Sequence, residues 1–228
     1  MKTFISLFAL FLSLSLTAQT NTATWYLNDT SGNGIQSLSN TASGSASVAM
    51  GIGTTASGQF STSMGVETIA SGERSTAMGH QTEASGQFSI AMGRETTASG
   101  GTSIAMGDGT TASGDVSTAM GRNTEASGKY SVALGFGTES IGWYSTALGH
   151  RNEASGDRSV AMGFETKASG DNSTTVGFYT TAEDYLTFAI GVHNKTDETP
   201  NPNIFLYQNT AFVIGNGGFN SDGVYDGN

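Results

Sequence analysis

Histidine is the first residue type to consider for acid–base or metal chemistry, because its charge changes near neutral pH and its ring nitrogens bind metals. The three histidines of this sequence are His80, His150 and His193. His80 and His150 stand five repeat units apart, roughly 24 Å at the spacing of parallel strands, which is too far to share a metal ion. No serine or carboxylate stands at a spacing that would place a histidine in a catalytic triad or an acid–base pair. The sequence therefore predicts no enzymatic activity and no cofactor.

Two weaker patterns for ion binding remain. A symmetric assembly would bring copies of His80 together, although solvated histidines at the rim of the fold are the interpretation that we favour. The segment "GNGGFNSDG", Gly215 to Gly223, faintly resembles a calcium-binding nonapeptide. Asn220 stands where that motif needs glycine, and the motif works only in repeated stacks. We therefore expect no bound metal.

The middle of the chain is organised by two series of glycines that share one 14-residue period. They are Gly44, Gly58, Gly72, Gly86, Gly100, Gly114, Gly128, Gly142, Gly156 and Gly170, and Gly51, Gly65, Gly79, Gly93, Gly107, Gly121, Gly135, Gly149, Gly163 and Gly177. Such a fixed period indicates a solenoid, and a unit of this length suffices for two short strands and two tight turns. We expect the glycines at the turns, where they would supply a positive φ. The sequence thus predicts an all-β parallel β-solenoid of about ten coils.

Composition limits the class of protein and its partners. The chain has 228 residues with 32 Gly, 2 Pro, 12% charged and 36% hydrophobic residues, which is too few large apolar side chains for an ordinary two-layer domain. The formal net charge of −10 argues against nucleic acid or an anionic membrane as partner. The absence of cysteine excludes disulfides and a thiol nucleophile.

Residues 1–18 have the pattern of a secretory signal peptide. Lys2 gives a positive start, Phe4 to Leu16 form an apolar core, and small residues surround Ala18. The core is too short to span a bilayer, and no other segment is apolar enough to insert into a membrane. We expect an exported chain, either extracellular or at the cell surface. A cytosolic protein with an apolar N-terminal strand is the alternative.

The first half of each unit is constrained at four successive positions. The position of Ser47 is serine in every copy, and the position of Val48 is always a β-branched residue. The position of Ala49 is almost always alanine, and that of Met50 is nearly always Met or Leu. Successive strand residues point to opposite faces, so this strand is predicted to be buried on both.

The second half of each unit is constrained at alternate positions only. Thr54 and Ala56 are nearly constant, whereas the position of Thr55 varies among Thr, Ile, Glu and Lys. This strand is predicted to have one face in water. A thin coil accepts only small side chains, so we place Ser47, Ala49, Thr54 and Ala56 inside it.

The methionine column then points out of the coil and forms an apolar stripe, roughly 50 Å long at the spacing of parallel strands. Left in water it would promote aggregation, so we expect other copies of the chain to cover it around a rotation axis. The alternative is the opposite orientation, with the methionines inside a wider coil and no oligomer. The candidate interface residues are Met50, Met64, Met78, Met92, Met106, Met120, Leu134, Leu148, Met162 and Val176.

Ten copies resemble the head repeats of the trimeric autotransporter adhesins, the YadA-like family. The segments "YSVALGFGTESIG", Tyr130 to Gly142, and "RSVAMGFETKASG", Arg158 to Gly170, carry the resemblance best. It implies a left-handed parallel β-roll and a homotrimer formed through one strand of each coil. It also implies adhesion at an outer-membrane surface to extracellular matrix protein, glycan or another surface ligand, without catalysis. The family's heptad stalk and membrane barrel have no counterpart here, so the means of attachment stays open.

Large aromatic residues replace polar ones at the same turn edge of two neighbouring coils. Tyr130, Trp143 and Tyr144 lie at a turn of the repeat and are the candidate ligand-binding surface, because aromatics on a rigid scaffold are common binding anchors. Contact with a neighbouring chain would explain them equally well. Around the roll of residues 41–193 we expect an N-terminal cap at 19–40 and a C-terminal loop with capping strands at 194–228.

We expect the chain to be an exported adhesin-type head or fibre segment that binds multivalently through its outer faces. A structural spacer that binds nothing is the first alternative. An ice- or crystal-binding solenoid is the weaker one, because the column of Thr55 is not a regular threonine ladder.

Overall fold

The computed structural model describes residues 26–27, 35–36, 39–194, 202–203 and 211–216. The predicted signal peptide lies outside the described residues, as do most of the predicted caps. Within the described part every regular element is a β-strand.

Long and short strands alternate along the chain. After β1 (Tyr26–Leu27) and β2 (Ile35–Gln36), the short strands are β3 (Thr41–Ala42), β5 (Thr55–Ala56), β7 (Ile69–Ala70), β9 (Glu83–Ala84), β11 (Thr97–Ala98), β13 (Thr111–Ala112), β15 (Glu125–Ala126), β17 (Glu139–Ser140), β19 (Glu153–Ala154), β21 (Lys167–Ala168) and β23 (Thr181–Ala182). The long strands are β4 (Val48–Ile52), β6 (Thr62–Val66), β8 (Thr76–His80), β10 (Ile90–Arg94), β12 (Ile104–Asp108), β14 (Thr118–Arg122), β16 (Val132–Phe136), β18 (Thr146–His150), β20 (Val160–Phe164), β22 (Thr174–Phe178), β24 (Phe188–Val192) and β25 (Phe212–Asn216).

The strands form two sheets that face each other across each coil. The long strands, with β1 and β2, make a 14-stranded sheet, and the short strands make an 11-stranded sheet. Every pairing in the coils is parallel and in register, so that Met92 pairs with Met106 and Thr97 pairs with Thr111. The predicted parallel β-solenoid is confirmed, with about eleven coils rather than ten. The extra coil comes from an imperfect further copy of the 14-residue unit around β24. This strand pairs in register with β22.

The interior of the coil holds only small side chains. Ala105 and Ala112 are fully buried, as are Ser103 and Thr110 of the same coil. The side chains of β12 alternate between outside and inside, and Met106 lies on the outer, partly exposed side. The predicted orientation of the repeat is therefore correct, and the alternative with methionines inside the coil is wrong.

Two serines that replace alanine in the interior have hydrogen-bond partners within their own coil. Ser63 and Ser140 occupy columns that are otherwise mostly alanine. The Ser63 hydroxyl lies 2.7 Å from Thr68 Oγ1, and the Ser140 hydroxyl lies 2.7 Å from Ser145 Oγ. A buried hydroxyl without a partner is costly, so each added oxygen is accommodated by a hydrogen bond inside the same coil.

The expectation that both glycine series supply a positive φ at turns is wrong. Gly100 lies at a turn without a positive φ, and a Cβ added to it would lie 2.1 Å from the carbonyl oxygen of Gly114. Gly107 does have a positive φ of 128°, but it lies within strand β12. The left-handed turn positions are mostly held by other residues, including Val116 with a φ of 57°. The first series is thus required by the closeness of successive coils.

Asp184 supports this steric explanation. It stands one repeat after Gly170 and so occupies the column of the first glycine series. Its own carbonyl oxygen lies 2.0 Å from the position that a Cβ on Gly170 would take. Strand β23, just before Asp184, is the last strand of the 11-stranded sheet in the described residues. A side chain is accommodated here because, in the described part of the chain, no further strand of that sheet stacks on this coil.

We expect Gly100→Ala to lower the free energy of unfolding by about 3 kcal/mol or more, since the new methyl group overlaps backbone that cannot move without disturbing the ladder. Urea denaturation followed by circular dichroism measures it. Gly101→Ala is the matched control, because its Cβ would meet only Asp115 Oδ1 at 3.4 Å. That control should change the free energy of unfolding by less than about 0.5 kcal/mol. Equal losses for both variants would contradict the steric explanation.

We expect Val116→Asn to raise the free energy of unfolding by about 1 kcal/mol, because a β-branched residue is strained in the left-handed region that asparagine tolerates. Asn172 occupies the equivalent position with a φ of 58°, so Asn172→Val should lower the same quantity by a similar amount. Two changes of the same sign in thermal or urea denaturation would show that backbone strain is not the controlling factor.

Candidate binding surfaces

The outer side of the long strands carries the candidate interface column. Within each of these strands the first, third and fifth residues point outward, as Ile104, Met106 and Asp108 do in β12. The third residues make up the predicted methionine column, and they are partly exposed, with Met120 at 38%. The chain itself does not cover this column in the described residues. Its role as an interface between copies stays a prediction.

The fifth residues of the long strands form a second, aromatic column that the sequence reasoning missed. Phe136, His150, Phe164 and Phe178 are stacked, with successive ring centroids 5.0, 4.6 and 4.9 Å apart. The signal was available, because a phenylalanine stands one repeat before His150 and another stands one repeat after it. Since the rings cover one another's faces, the column adds apolar ring edges to the methionine-bearing side.

The middle of the same column is charged. Arg94 donates through Nε and Nη2 to the two carboxylate oxygens of Asp108, at 3.0 and 2.7 Å, and Arg122 Nε lies 3.8 Å from Asp108 Oδ2. The hydrogen bond from Arg94 lowers the pKa of Asp108, and the same bond raises the pKa of Arg94. Arg151 and Glu165, which also stand one repeat apart, form a similar pair, with Arg151 Nη1 3.3 Å from Glu165 Oε1.

The predicted ligand-binding residues lie together at one turn edge. Tyr130 and Tyr144 are stacked with centroids 4.8 Å apart and planes inclined by 10°. Trp143 is 59% exposed and Tyr144 is 53% exposed. The backbone N–H of Trp143 donates to Asp157 Oδ1 at 2.9 Å, which holds the turn to the next coil. We call Tyr130, Trp143 and Tyr144 the aromatic patch.

The outer face of the short strands is polar and mixed. Glu83, Glu125 and Glu139 stand in one column with threonines between some of them. Lys167 Nζ lies 3.2 Å from Glu153 Oε1 in the same column, a pair that the sequence reasoning missed. The column therefore lacks the regular threonine ladder of the ice-binding alternative.

The histidines do not converge with other ligands. His80 ends β8 and His150 ends β18, with four long strands between them. No cluster of three or more His, Cys, Asp or Glu side chains suited to a metal ion occurs in the described residues. No helix in the described part of the chain is long and apolar enough to cross a membrane.

Comparison with known protein families identifies the 14-residue repeat. The pattern of the YadA head domain repeat matches residues 42–68, 70–96, 98–123, 112–138, 141–166 and 154–180. The chain belongs to the YadA head repeat family. No curated protein matches it.

The YadA head repeats coincide with the coils of the solenoid. Each match spans two copies of the unit, and together the matches extend from β3 to just before β23. All ten residues of the methionine column and the whole aromatic patch lie inside this range. The two candidate surfaces are therefore variations within YadA head repeats.

We expect the stacked Tyr130 and Tyr144 rings to stabilise the fold cooperatively. A double-mutant cycle with Tyr130→Ala and Tyr144→Ala should give a coupling free energy of about 0.5–1.5 kcal/mol in urea denaturation. Tyr130→Ala combined with Phe164→Ala is the control, since these rings share no contact in the described residues. A coupling as large in the control pair would contradict a direct ring interaction.

Proposed function

We propose that this chain is an adhesin-type head segment that assembles as a homotrimer and binds surface ligands multivalently through its outer faces. The observation that carries the proposal is the methionine column, which a member of the YadA head repeat family leaves uncovered along the whole roll. A contiguous apolar stripe of that length in water favours association. An assembly with closed rotational symmetry covers this stripe in every copy and leaves no interface surface unpaired.

The proposed assembly is a trimer of left-handed β-rolls that meet through the outer face of the long strands. The family resemblance supports the number three and the handedness. The apolar third positions of the long strands, together with the aromatic fifth positions from Phe136 to Phe178, support the choice of face. The small interior also favours this arrangement, because a single coil buries no large side chain and gains little from its own packing.

The proposed mechanism is geometric and involves no catalysis. A stiff rod would present three copies of each outer column, so that weak contacts to an extracellular matrix protein, a glycan or another surface would combine through a high effective concentration. We place the protein outside the cell, at the surface or secreted, on the basis of its family and its N-terminal sequence pattern. The aromatic patch is the proposed contact region for a ligand.

We expect Met106→Glu to dissociate the assembly, because an unpaired carboxylate in an apolar interface is costly to desolvate. Light scattering of the purified chain should show three chains per particle for the wild type and a lower mass for this variant. Circular dichroism should remain β-rich, since Met106 points away from its own coil.

Thr55→Glu is the matched control. Thr55 lies on the outer face of the short strands between Thr41 and Ile69, so the added charge has no like charge beside it. Its mass should equal that of the wild type. A wild-type chain that is a stable monomer would contradict the proposed assembly, and an assembled chain that adheres to no surface would favour a structural spacer.

A further inference from the structure

Two basic side chains that form no ion pair in the described residues border the aromatic patch. The chain has a formal net charge of −10, and most of its described basic side chains have an acidic partner. Within residues 39–194 the cations in ion pairs are Arg74, Arg94, Arg122, Arg151 and Lys167. The cations of that range without an ion pair are Lys129 and Arg158, and both border the aromatic patch.

The geometry of the turns places these two cations on either side of the aromatic rings. Lys129 Nζ lies 5.3 Å from the centre of the Tyr130 ring. One coil beyond the aromatic coil, the backbone N–H of Arg158 donates to the carbonyl of Trp143 at 2.7 Å. The residues therefore lie two coils apart, about 10 Å along the axis, with Trp143 and Tyr144 between them. The same turn column also carries the carboxylates of Asp115, Asp157 and Asp171. Their Oδ1 atoms accept the backbone N–H groups of Gly101, Trp143 and Asp157, respectively.

We propose that the aromatic patch, together with Lys129 and Arg158, binds an acidic polysaccharide. Sugar rings would pack their apolar C–H faces against Trp143 and Tyr144, while carboxylate or sulfate groups pair with the two cations. This proposal rests on the proposed adhesive function and names the class of ligand for one of its surfaces.

The charges decide that the ligand is acidic. A cation without an acidic partner is unusual on a chain with 19 acidic and 9 basic side chains. A neutral or purely apolar ligand would leave Lys129 and Arg158 unused. An anion gains from both.

The backbone of the turn decides that the ligand is a polysaccharide rather than a peptide. A peptide that adds to a sheet needs free backbone donors and acceptors along an edge. At this turn the N–H groups are already bonded, that of Tyr144 to Lys129 O at 2.8 Å and that of Trp143 to Asp157. The surface instead offers ring faces and charged side-chain ends. That combination fits a saccharide, which does not need a row of free backbone groups along a sheet edge.

Isothermal titration of the full chain with defined oligosaccharides tests the proposal. The probes are a heparin octasaccharide and a hyaluronan octasaccharide, which separate sulfate from carboxylate recognition, with a neutral malto-octaose and a polyglutamate peptide as comparisons. We expect one or both acidic saccharides to bind, with an affinity that falls as salt is raised. Malto-octaose and polyglutamate should bind at least about tenfold more weakly.

Variants then locate the site. Lys129→Gln and Arg158→Gln should each weaken the acidic saccharide about two- to fivefold, as expected for exposed charge pairs, and should reduce the salt dependence. Trp143→Ser should weaken it about tenfold or more. Arg151→Gln is the matched control, because it removes the same charge from the opposite turn, where Arg151 pairs with Glu165. This control should leave the affinity unchanged.

The outcomes separate this proposal from the proposed function. Failure of both acidic saccharides to bind, or an equal loss for Arg151→Gln and Arg158→Gln, would overturn the site. So would equal binding of polyglutamate that does not depend on Trp143. If Trp143→Ser lowers the particle mass in light scattering, the patch is a contact between copies and the site is wrong, while the adhesive assembly stands. A monomeric chain that binds the octasaccharide would support the site and contradict the assembly.

Discussion

Close stacking of backbone on backbone governs this structure. Each coil lies so near the next that at Gly100 a single carbon would meet the carbonyl of Gly114 at 2.1 Å. Each coil repeats the register of the one before, so every residue is paired with its own equivalent. The narrow coil has room only for Ala, Ser and Thr, as the fully buried Ala105 and Thr110 illustrate. Coil-to-coil hydrogen bonds and small-residue packing therefore hold the chain together, in place of a core of large side chains.

This constraint sends every large side chain outward and arranges it in columns. Tyr130 stacks on Tyr144, and Phe164 stacks on His150. Arg94 donates a hydrogen bond to Asp108. These contacts form because in-register strands place equivalent positions side by side. Neighbouring residues in a column thus interact even though a whole repeat separates them in sequence. A substitution at one outer position changes the surface and leaves the interior intact. Outer positions can therefore vary from coil to coil with smaller effects on the fold than interior positions.

The candidate surfaces could be predicted from the sequence to different degrees. The methionine column could be predicted because its chemistry is nearly constant, and alternation along the strand assigned it to the outside, where it lies. The phenylalanine column was missed because it begins only at Phe136, after Arg94, Asp108 and Arg122 in the same position. The pairing of Lys167 with Glu153 was missed because the column was interpreted only as variable and exposed to water.

The sequence by itself determined the period, the parallel solenoid, the small interior and the outward methionines, because a strict repeat imposes the same environment on every copy. Only the tertiary structure decided why the glycines are there. A glycine that avoids a neighbouring carbonyl and a glycine that adopts a positive φ look alike in a sequence, and the difference depends on distances between coils. That Lys129 and Arg158 have no acidic partner among the described residues also required the structure, because a charge pair depends on where side chains end in space.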